Sequence, residues 1–186
     1  MTLEEPQLLE QQVKKDFNRR NIFIDLDETL ISTLIEDFDF KEAPVAGIEY
    51  KTVKPDNDPS TYVSAMRPGA NYLLYHLREI GQLYMVTRAT AGYALAFNEA
   101  FSFAFPEDRI FSRKDVENCR GKYLNIPSGK NFLIDDLDRQ DNYEKIKLIS
   151  QLGPVKYIKV MPFYGFSAQA FTHSDITEIV NKIIVD

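Results

Sequence analysis

The stretch from residue 22 to residue 30, IFIDLDETL, restricts the fold of this chain more than any other. An apolar run ends there in two carboxylates, Asp25 and Asp27, and the hydroxyl of Thr29 follows. Side chains alternate along a strand, so the two carboxylates are predicted to point the same way. Like charges held that close are unfavourable unless a cation lies between them, and Mg²⁺ is the cation that pairs a few carboxylates with phosphate oxygens. The segment therefore predicts a buried strand that ends at a magnesium site.

Strand and helix patterns alternate from residue 21 to the end of the chain. Apolar segments typical of covered strands occur at residues 21–26, 82–87, 131–134 and 155–160. Helical patterns occur at residues 67–80, 92–104 and 141–152, and a last one begins near residue 172 or 174. This alternation predicts a doubly wound, Rossmann-like α/β domain around a parallel sheet.

Residues 31–66 interrupt the alternation. The cluster KPDNDP at residues 54–59 suits no regular element, but the segments 48–53 and 61–66 on either side have strand character. We therefore expect a small β-hairpin flap, or cap, inserted after the first strand.

A further helix is predicted before the first strand, because Leu9, Val13 and Phe17 recur at a spacing of four. The expected organisation is an N-terminal helix within residues 1–20 and one α/β domain at residues 21–186, which contains the insertion.

Charge and cysteine content favour an intracellular protein. The net charge is −6 and there is no long basic run, so binding to membranes or non-specific binding to nucleic acid is not expected. Cys119 is the one cysteine, which excludes an intrachain disulfide and argues against a disulfide-linked partner. The acidic N-terminus does not look like a signal peptide. We expect a soluble cytoplasmic protein.

Polar residues follow the predicted strands at the ends where ligands bind in open α/β sheets. They are Asp25, Asp27, Thr87, Asp135 and Asp136. A lysine, either Lys122 or Lys130, precedes the later strand. One carboxylate can attack phosphorus, a second can protonate the leaving oxygen, and a cation and a hydroxyl can hold the phosphoryl oxygens.

These residues resemble the motifs of a known family. Residues 25–30, DLDETL, look like the first motif of the haloacid dehalogenase superfamily. That motif, the β-rich insertion and the segment MRPG at residues 66–69 together resemble the FCP/SCP, or NLI-interacting-factor-like, group of phosphatases that act on the RNA polymerase C-terminal domain. The resemblance implies a phosphatase with an aspartyl-phosphate intermediate and bound Mg²⁺.

The resemblance also implies a role for each matching residue. Asp25 would be the nucleophile and a metal ligand, and Asp27 would be the general acid and base with its backbone carbonyl on the metal. Thr87 matches the hydroxyl of the second motif, and Thr29 would support the first-motif loop. Lys122 best matches the third-motif lysine, with Lys130 as the alternative. The fourth motif, which completes the metal site, matches Asp135 and Asp136.

Two arginines are further candidates for substrate contacts. Arg67 opens a predicted helix and is either a phosphate ligand or a surface residue, whereas Arg88 follows Thr87 at a strand end. The small insertion favours a phosphorylated protein or another macromolecule as substrate. Arg88 favours the alternative of a nucleotidase or polynucleotide 3'-phosphatase. A third hypothesis is a non-catalytic phosphate-binding protein with the same fold.

Overall fold

A computed structural model of the chain describes residues 19–35, 45–118, 125–165 and 170–186. The predicted N-terminal helix, Cys119 and Lys122 lie outside these residues, so those predictions, and the domain boundaries that depend on them, stay predictions. Among the described residues, every helix is too short or too polar to cross a lipid bilayer.

The core of the fold is a five-stranded parallel sheet. Its strands are β1 (Arg20–Ile24), β5 (Gln82–Val86), β6 (Ile110–Phe111), β7 (Lys130–Asp135) and β8 (Val155–Lys159). The strand order is β6-β5-β1-β7-β8, so β1 is central and pairs with β5 on one side and with β7 on the other. This arrangement confirms the predicted α/β class.

Helices cover both faces of this sheet. They are α1 (Ala70–Ile80), α2 (Ala91–Ala100), α3 (Arg113–Asn118), α4 (Tyr143–Ser150) and α5 (His173–Ile184). Alternation along β1 sends Ile22 and Ile24 into the core beneath α1, α2 and α5, whereas Phe23 packs with the residues of α3 and α4. Because β1 is covered on both faces, it reads as a continuous apolar run.

The inserted segment forms a separate three-stranded antiparallel sheet, which we call the cap. It consists of β2 (Ile31–Ile35), β3 (Glu49–Val53) and β4 (Tyr62–Met66), with β4 in the middle. The predicted hairpin is thus present, and β2 extends it because this strand pairs with β4 directly after the first-motif loop.

The structure adds one helix and shifts the buried face of another. Residues 113–118 form α3, a short helix with a single buried apolar side chain, Val116. In α4 the apolar residues Tyr143, Ile146 and Ile149 predict a buried stripe; Ile149 is buried and Ile146 partly buried, but Tyr143 is exposed. The buried face carries Lys145 and Leu148 instead, so it is shifted from the apolar stripe.

Candidate active site

Two acidic segments meet at the carboxyl edge of the parallel sheet. Asp25 is the first residue after β1, and its backbone N–H donates to the carbonyl of Ile134 in β7 over 3.0 Å. Asp135 ends β7, next to that carbonyl. The pairing of two adjacent parallel strands therefore brings Asp25 and Asp135 together from distant parts of the sequence.

The first-motif loop turns sharply after Asp25. The backbone N–H groups of Leu30 and Ile31 both donate to the carbonyl of Leu26, and Glu28 adopts a left-handed conformation with φ of 56°. This conformation is uncommon for a residue with a Cβ atom. Asp25 and Asp27 consequently lie on a loop and not on the strand as predicted, yet both line the same cavity.

A buried lysine joins the acidic residues. The Nζ atom of Lys145 lies 2.7 Å from Oδ1 of Asp25 and 2.8 Å from Oδ2 of Asp135, and the lysine side chain is 2% exposed. Sequence reasoning missed Lys145. The available signal was its spacing from Leu148 and Ile149, which puts a lysine on the buried face of a helix where lysines are rare.

Of the two lysines that we predicted, Lys122 lies outside the described residues and Lys130 does not take this place. Lys130 begins β7 at the opposite edge of the sheet, and its ammonium group donates to the backbone carbonyl of Asp186. The prediction that Lys130 serves the site is therefore wrong, because parallel strands carry their first and last residues to opposite edges.

Charge crowding perturbs the acidic groups of the site. Burial, reinforced by Asp135 and Asp27 and opposed by Lys145, raises the pKa of Asp25 to about 8. Burial also raises the pKa of Asp27 and of Asp136. Burial alone would lower the pKa of Lys145, but the charges of Asp25 and Asp135 outweigh it and raise that pKa. The lysine therefore stays charged, while the carboxylates lack enough positive charge around them.

The acidic cluster has the composition of a divalent metal site. Carboxylate oxygens of Asp25, Asp135 and Asp136 all lie within 4.8 Å of one another. Hard oxygen ligands of this kind suit Mg²⁺ and similar cations. Asp135 already accepts hydrogen bonds from Lys145 and from the backbone N–H of Leu137, so Asp25 and Asp136 are the members with more capacity for a metal. The cluster can therefore hold a divalent cation.

Hydroxyl groups orient two of the carboxylates. Thr29 is fully buried and its Oγ1 atom donates to Oδ1 of Asp136 over 3.0 Å, so it supports the acidic pair from below. Asp27 accepts a hydrogen bond of 2.8 Å from the hydroxyl of Tyr93, a residue of α2 that lines the cavity. Thr87 is buried at the end of β5 and lines the same cavity.

Arg67 lies behind the first-motif loop. It is 3% exposed, and its Nη1 atom donates to the carbonyls of Met161 (2.6 Å) and Thr29 (3.3 Å). Its guanidinium group lies 3.8 Å from the ring centroid of Phe171. Arg67 is therefore not a surface residue, and it is absent from the lining of the cavity that contains Asp25; it lines a second cavity instead, together with Asp175.

Arg88 lines the cavity, and its role as a substrate contact stays a prediction. Its backbone carbonyl accepts a hydrogen bond of 2.7 Å from Nε of Arg113, which lines the same cavity. We did not predict Arg113, because it follows a strand of only two residues that carries a weak sequence signal.

The cavity that these residues surround is open and has a volume of about 430 Å³. Acidic residues and Lys145 form its floor, the two arginines lie on one side, and the cap contributes Thr33 and Tyr62. These features put the chain in the class of α/β proteins that carry, at the carboxyl edge of the sheet, a carboxylate cluster able to hold a divalent cation beside a buried lysine.

Comparison with known proteins assigns the family. The model of the NLI interacting factor-like phosphatases matches residues 20–142, and the chain belongs to this family of phosphatases. The resemblance read from the first motif is thus confirmed. Among curated proteins, none matches the chain in sequence.

Two solved structures share the fold. One is a variant of the fission yeast RNA polymerase II CTD phosphatase Fcp1 bound to beryllium fluoride, with a TM-score of 0.56 and 18% sequence identity. The other is Fcp1, described as an essential RNA polymerase II CTD phosphatase, with a TM-score of 0.55 and 19% identity. Each alignment covers 97% of this chain but only 52% of the Fcp1 chain, so this chain spans about half the length of those structures.

Proposed function

We propose that this protein is a Mg²⁺-dependent phosphomonoester hydrolase that works through an aspartyl-phosphate on Asp25. The observation that carries the proposal is the ion pair between Asp25 and Lys145 in a cavity that also contains Asp27. A nucleophile, a proton donor and a fixed cation are the groups that hydrolysis through a covalent intermediate requires.

In the first step a carboxylate oxygen of Asp25 forms a bond to phosphorus while the ester P–O bond breaks. The leaving oxygen keeps the electron pair of that bond and takes a proton from Asp27. The raised pKa of Asp27, caused mainly by burial, suits a group that must hold a proton before the reaction. In the second step Asp27 takes a proton from water, which attacks phosphorus and releases Asp25 and inorganic phosphate.

Lys145 has two tasks in this scheme. Its positive charge favours the ionised form of Asp25, and its contact with Asp135 keeps the ammonium group beside the nucleophile. When bound by Asp25, Asp136 and Asp135, with the carbonyl of Asp27, Mg²⁺ would supply positive charge to the ionised nucleophile and to the phosphoryl oxygens. Thr87 offers a hydroxyl to those oxygens.

The proposed substrate is a phosphorylated protein. The cap is a small sheet and leaves the cavity open, which suits a phosphate carried on a large molecule better than a metabolite that must be enclosed. The family is named for phosphatases, and the Fcp1 proteins with the same fold act on the tail of a polymerase.

A second candidate is hydrolysis of a polynucleotide 3'-phosphate or a nucleotide. The observation that favours it is the pair Arg88 and Arg113 on one side of the cavity, because neighbouring phosphates of a nucleic acid would find two cations there. Rates on phosphopeptides, mononucleotides and 3'-phosphorylated DNA separate the two candidates. A value of kcat/KM for DNA above that for every phosphopeptide would overturn the protein substrate.

The mechanism is tested by Asp25→Asn, which keeps the shape of the side chain but removes the nucleophile. We expect hydrolysis of p-nitrophenyl phosphate with Mg²⁺ to fall by at least roughly a thousandfold. Asp108→Asn, on an exposed surface position, is the matched control and should keep full activity. Retained activity of Asp25→Asn would exclude the covalent mechanism.

A further inference from the structure

Tyr93 is aimed at the proposed proton donor from the first turn of α2. That helix begins directly after the turn at Thr87, and Thr90 caps it by accepting a hydrogen bond of 3.3 Å from the backbone N–H of Tyr93. This hydrogen bond fixes the first turn of the helix. The tyrosine side chain lies over the cavity, where its hydroxyl donates to Oδ1 of Asp27 over 2.8 Å.

The ring of Tyr93 is held on the other side by the cap sheet. Tyr62 of β4 packs edge-on against it with a centroid distance of 5.3 Å, and Phe97 packs at 4.4 Å. Tyr62 is itself anchored, because its hydroxyl donates to Oδ2 of Asp58 over 2.9 Å. A continuous set of contacts therefore runs from the loop at the tip of the cap, through two tyrosine rings, to Asp27.

We propose that Tyr93 is a positioning residue for the general acid, and that the cap acts on proton transfer through Tyr62. This inference rests on the proposed function. A carboxyl group on a turning loop can rotate about its Cα–Cβ and Cβ–Cγ bonds, and proton transfer requires it to lie within hydrogen-bond reach of the leaving oxygen. The Tyr93 hydroxyl removes part of that freedom before the substrate arrives. The cap thereby has a second task besides shaping the cavity.

If Tyr93 positions the general acid, removing its hydroxyl should slow the reaction most for substrates whose leaving group must be protonated. The p-nitrophenolate ion leaves readily without one, whereas the alkoxide of a serine side chain does not. Tyr93→Phe keeps the ring and its packing but removes the hydroxyl. Because Asp27 also serves the second step, which both substrates share, the first step is measured separately as the single-turnover rate of leaving-group release. We expect this rate to fall roughly ten- to a hundredfold on a phosphoserine peptide and to stay within about threefold on p-nitrophenyl phosphate, with little change in either KM.

The ratio of the two first-step rates within one preparation does not depend on the fraction of folded protein. Tyr72→Phe, which alters an exposed tyrosine on α1, is the matched control and should leave the ratio unchanged. Tyr62→Ala should shift the ratio in the same direction as Tyr93→Phe but less. Equal losses on both substrates for Tyr93→Phe, or a change confined to KM, would overturn the positioning role.

A second measurement connects the effect to Asp27. If Tyr93 acts through that carboxyl group, adding Tyr93→Phe to Asp27→Asn should change the first-step rate on the phosphoserine peptide by less than about twofold, although Tyr93→Phe alone lowers that rate at least roughly tenfold, because the two changes are not additive. Independent, multiplying effects would contradict the proposal. If wild-type protein hydrolyses neither substrate, the proposed function itself fails; if Asp27→Asn shifts the ratio and Tyr93→Phe does not, only this inference fails.

Discussion

Two buried cations lie on opposite sides of the first-motif loop and differ in what surrounds them. Lys145, on the cavity side, contacts the carboxylates of Asp25 and Asp135. Arg67, on the rear side, contacts the carbonyls of Thr29 and Met161 and the face of Phe171. Lys145 forms ion pairs with carboxylates of the acidic cluster, whereas Arg67 donates to backbone carbonyls and lines a second cavity beside Asp175.

The difference indicates which of the two serves chemistry and which serves the fold. A cation among carboxylates beside a cavity can respond when a charged ligand arrives, since these groups can exchange partners or protons. The guanidinium group of Arg67 stays charged and does not exchange protons, and its planar shape fits the backbone carbonyls that it joins. We therefore expect substitution of Lys145 to affect activity first, and substitution of Arg67 to affect stability first.

Of the substitutions at the two cations, Lys145→Met should have the larger effect on activity. We expect kcat on p-nitrophenyl phosphate to fall by roughly a hundred- to a thousandfold, because the charge next to the nucleophile is lost. Lys147→Met, which changes an exposed lysine on the same helix, is the control and should be active. Lys122→Met, measured in parallel, tests the lysine predicted from the sequence. A greater loss with Lys122→Met than with Lys145→Met would reverse our assignment.

Arg67→Met should have the largest effect on stability. The free energy of unfolding should fall by about 3 kcal/mol, because two buried carbonyls lose a charged donor. Urea unfolding measures this change, and Arg139→Met, at an exposed position, should stay within about 0.5 kcal/mol of wild type. At a temperature where the variant is folded, its loss of kcat should be far smaller than that of Lys145→Met. The opposite order would end the distinction between the two cations.

Metal and pH should have a smaller effect, confined to the cavity side. Because the pKa of Asp25 rises from 3.8 to about 8 on folding, this group stabilises the metal-free fold at low pH, and the contribution is lost as pH rises towards 8. Wild-type protein without metal should thus melt at a lower temperature at pH 8 than at pH 6. The melting temperature of Asp25→Asn should fall by less over the same pH change.

Mg²⁺ should reverse that loss. Its binding should stabilise the fold at pH 8 by about 1.4 kcal/mol at about ten times Kd, and by less at pH 6, where protons compete for the carboxylates. Calorimetric scans with and without Mg²⁺, at matched ionic strength, measure both effects. Equal stabilisation at the two pH values, or in Asp25→Asn, would contradict the assignment of the metal site.

The sequence was sufficient for the sheet and for the acidic half of the site. Apolar runs that end in carboxylates identify both the covered strands and their carboxyl ends, which is where Asp25, Asp27 and Asp136 lie. The cationic half was not predictable in the same way. Lys145 required the exact buried face of α4, which the apolar stripe of Tyr143, Ile146 and Ile149 gives only in part. The environment of Arg67 depends on Phe171, a long-range contact that local patterns do not contain.

The contacts behind the first-motif loop also determine how far the protein can be shortened from its C-terminal end. The family match ends at residue 142, but Lys145 follows it, and the segment that holds the loop follows as well. Phe163 donates its backbone N–H to the carbonyl of Glu28 over 2.7 Å, and Phe171 donates to Pro68 over 2.8 Å. A protein that ends at the family boundary would contain the first motif but would lack Lys145 and the residues that hydrogen-bond to Glu28 and Pro68. We therefore expect a shortened protein to keep the site intact only if it extends at least through residue 171.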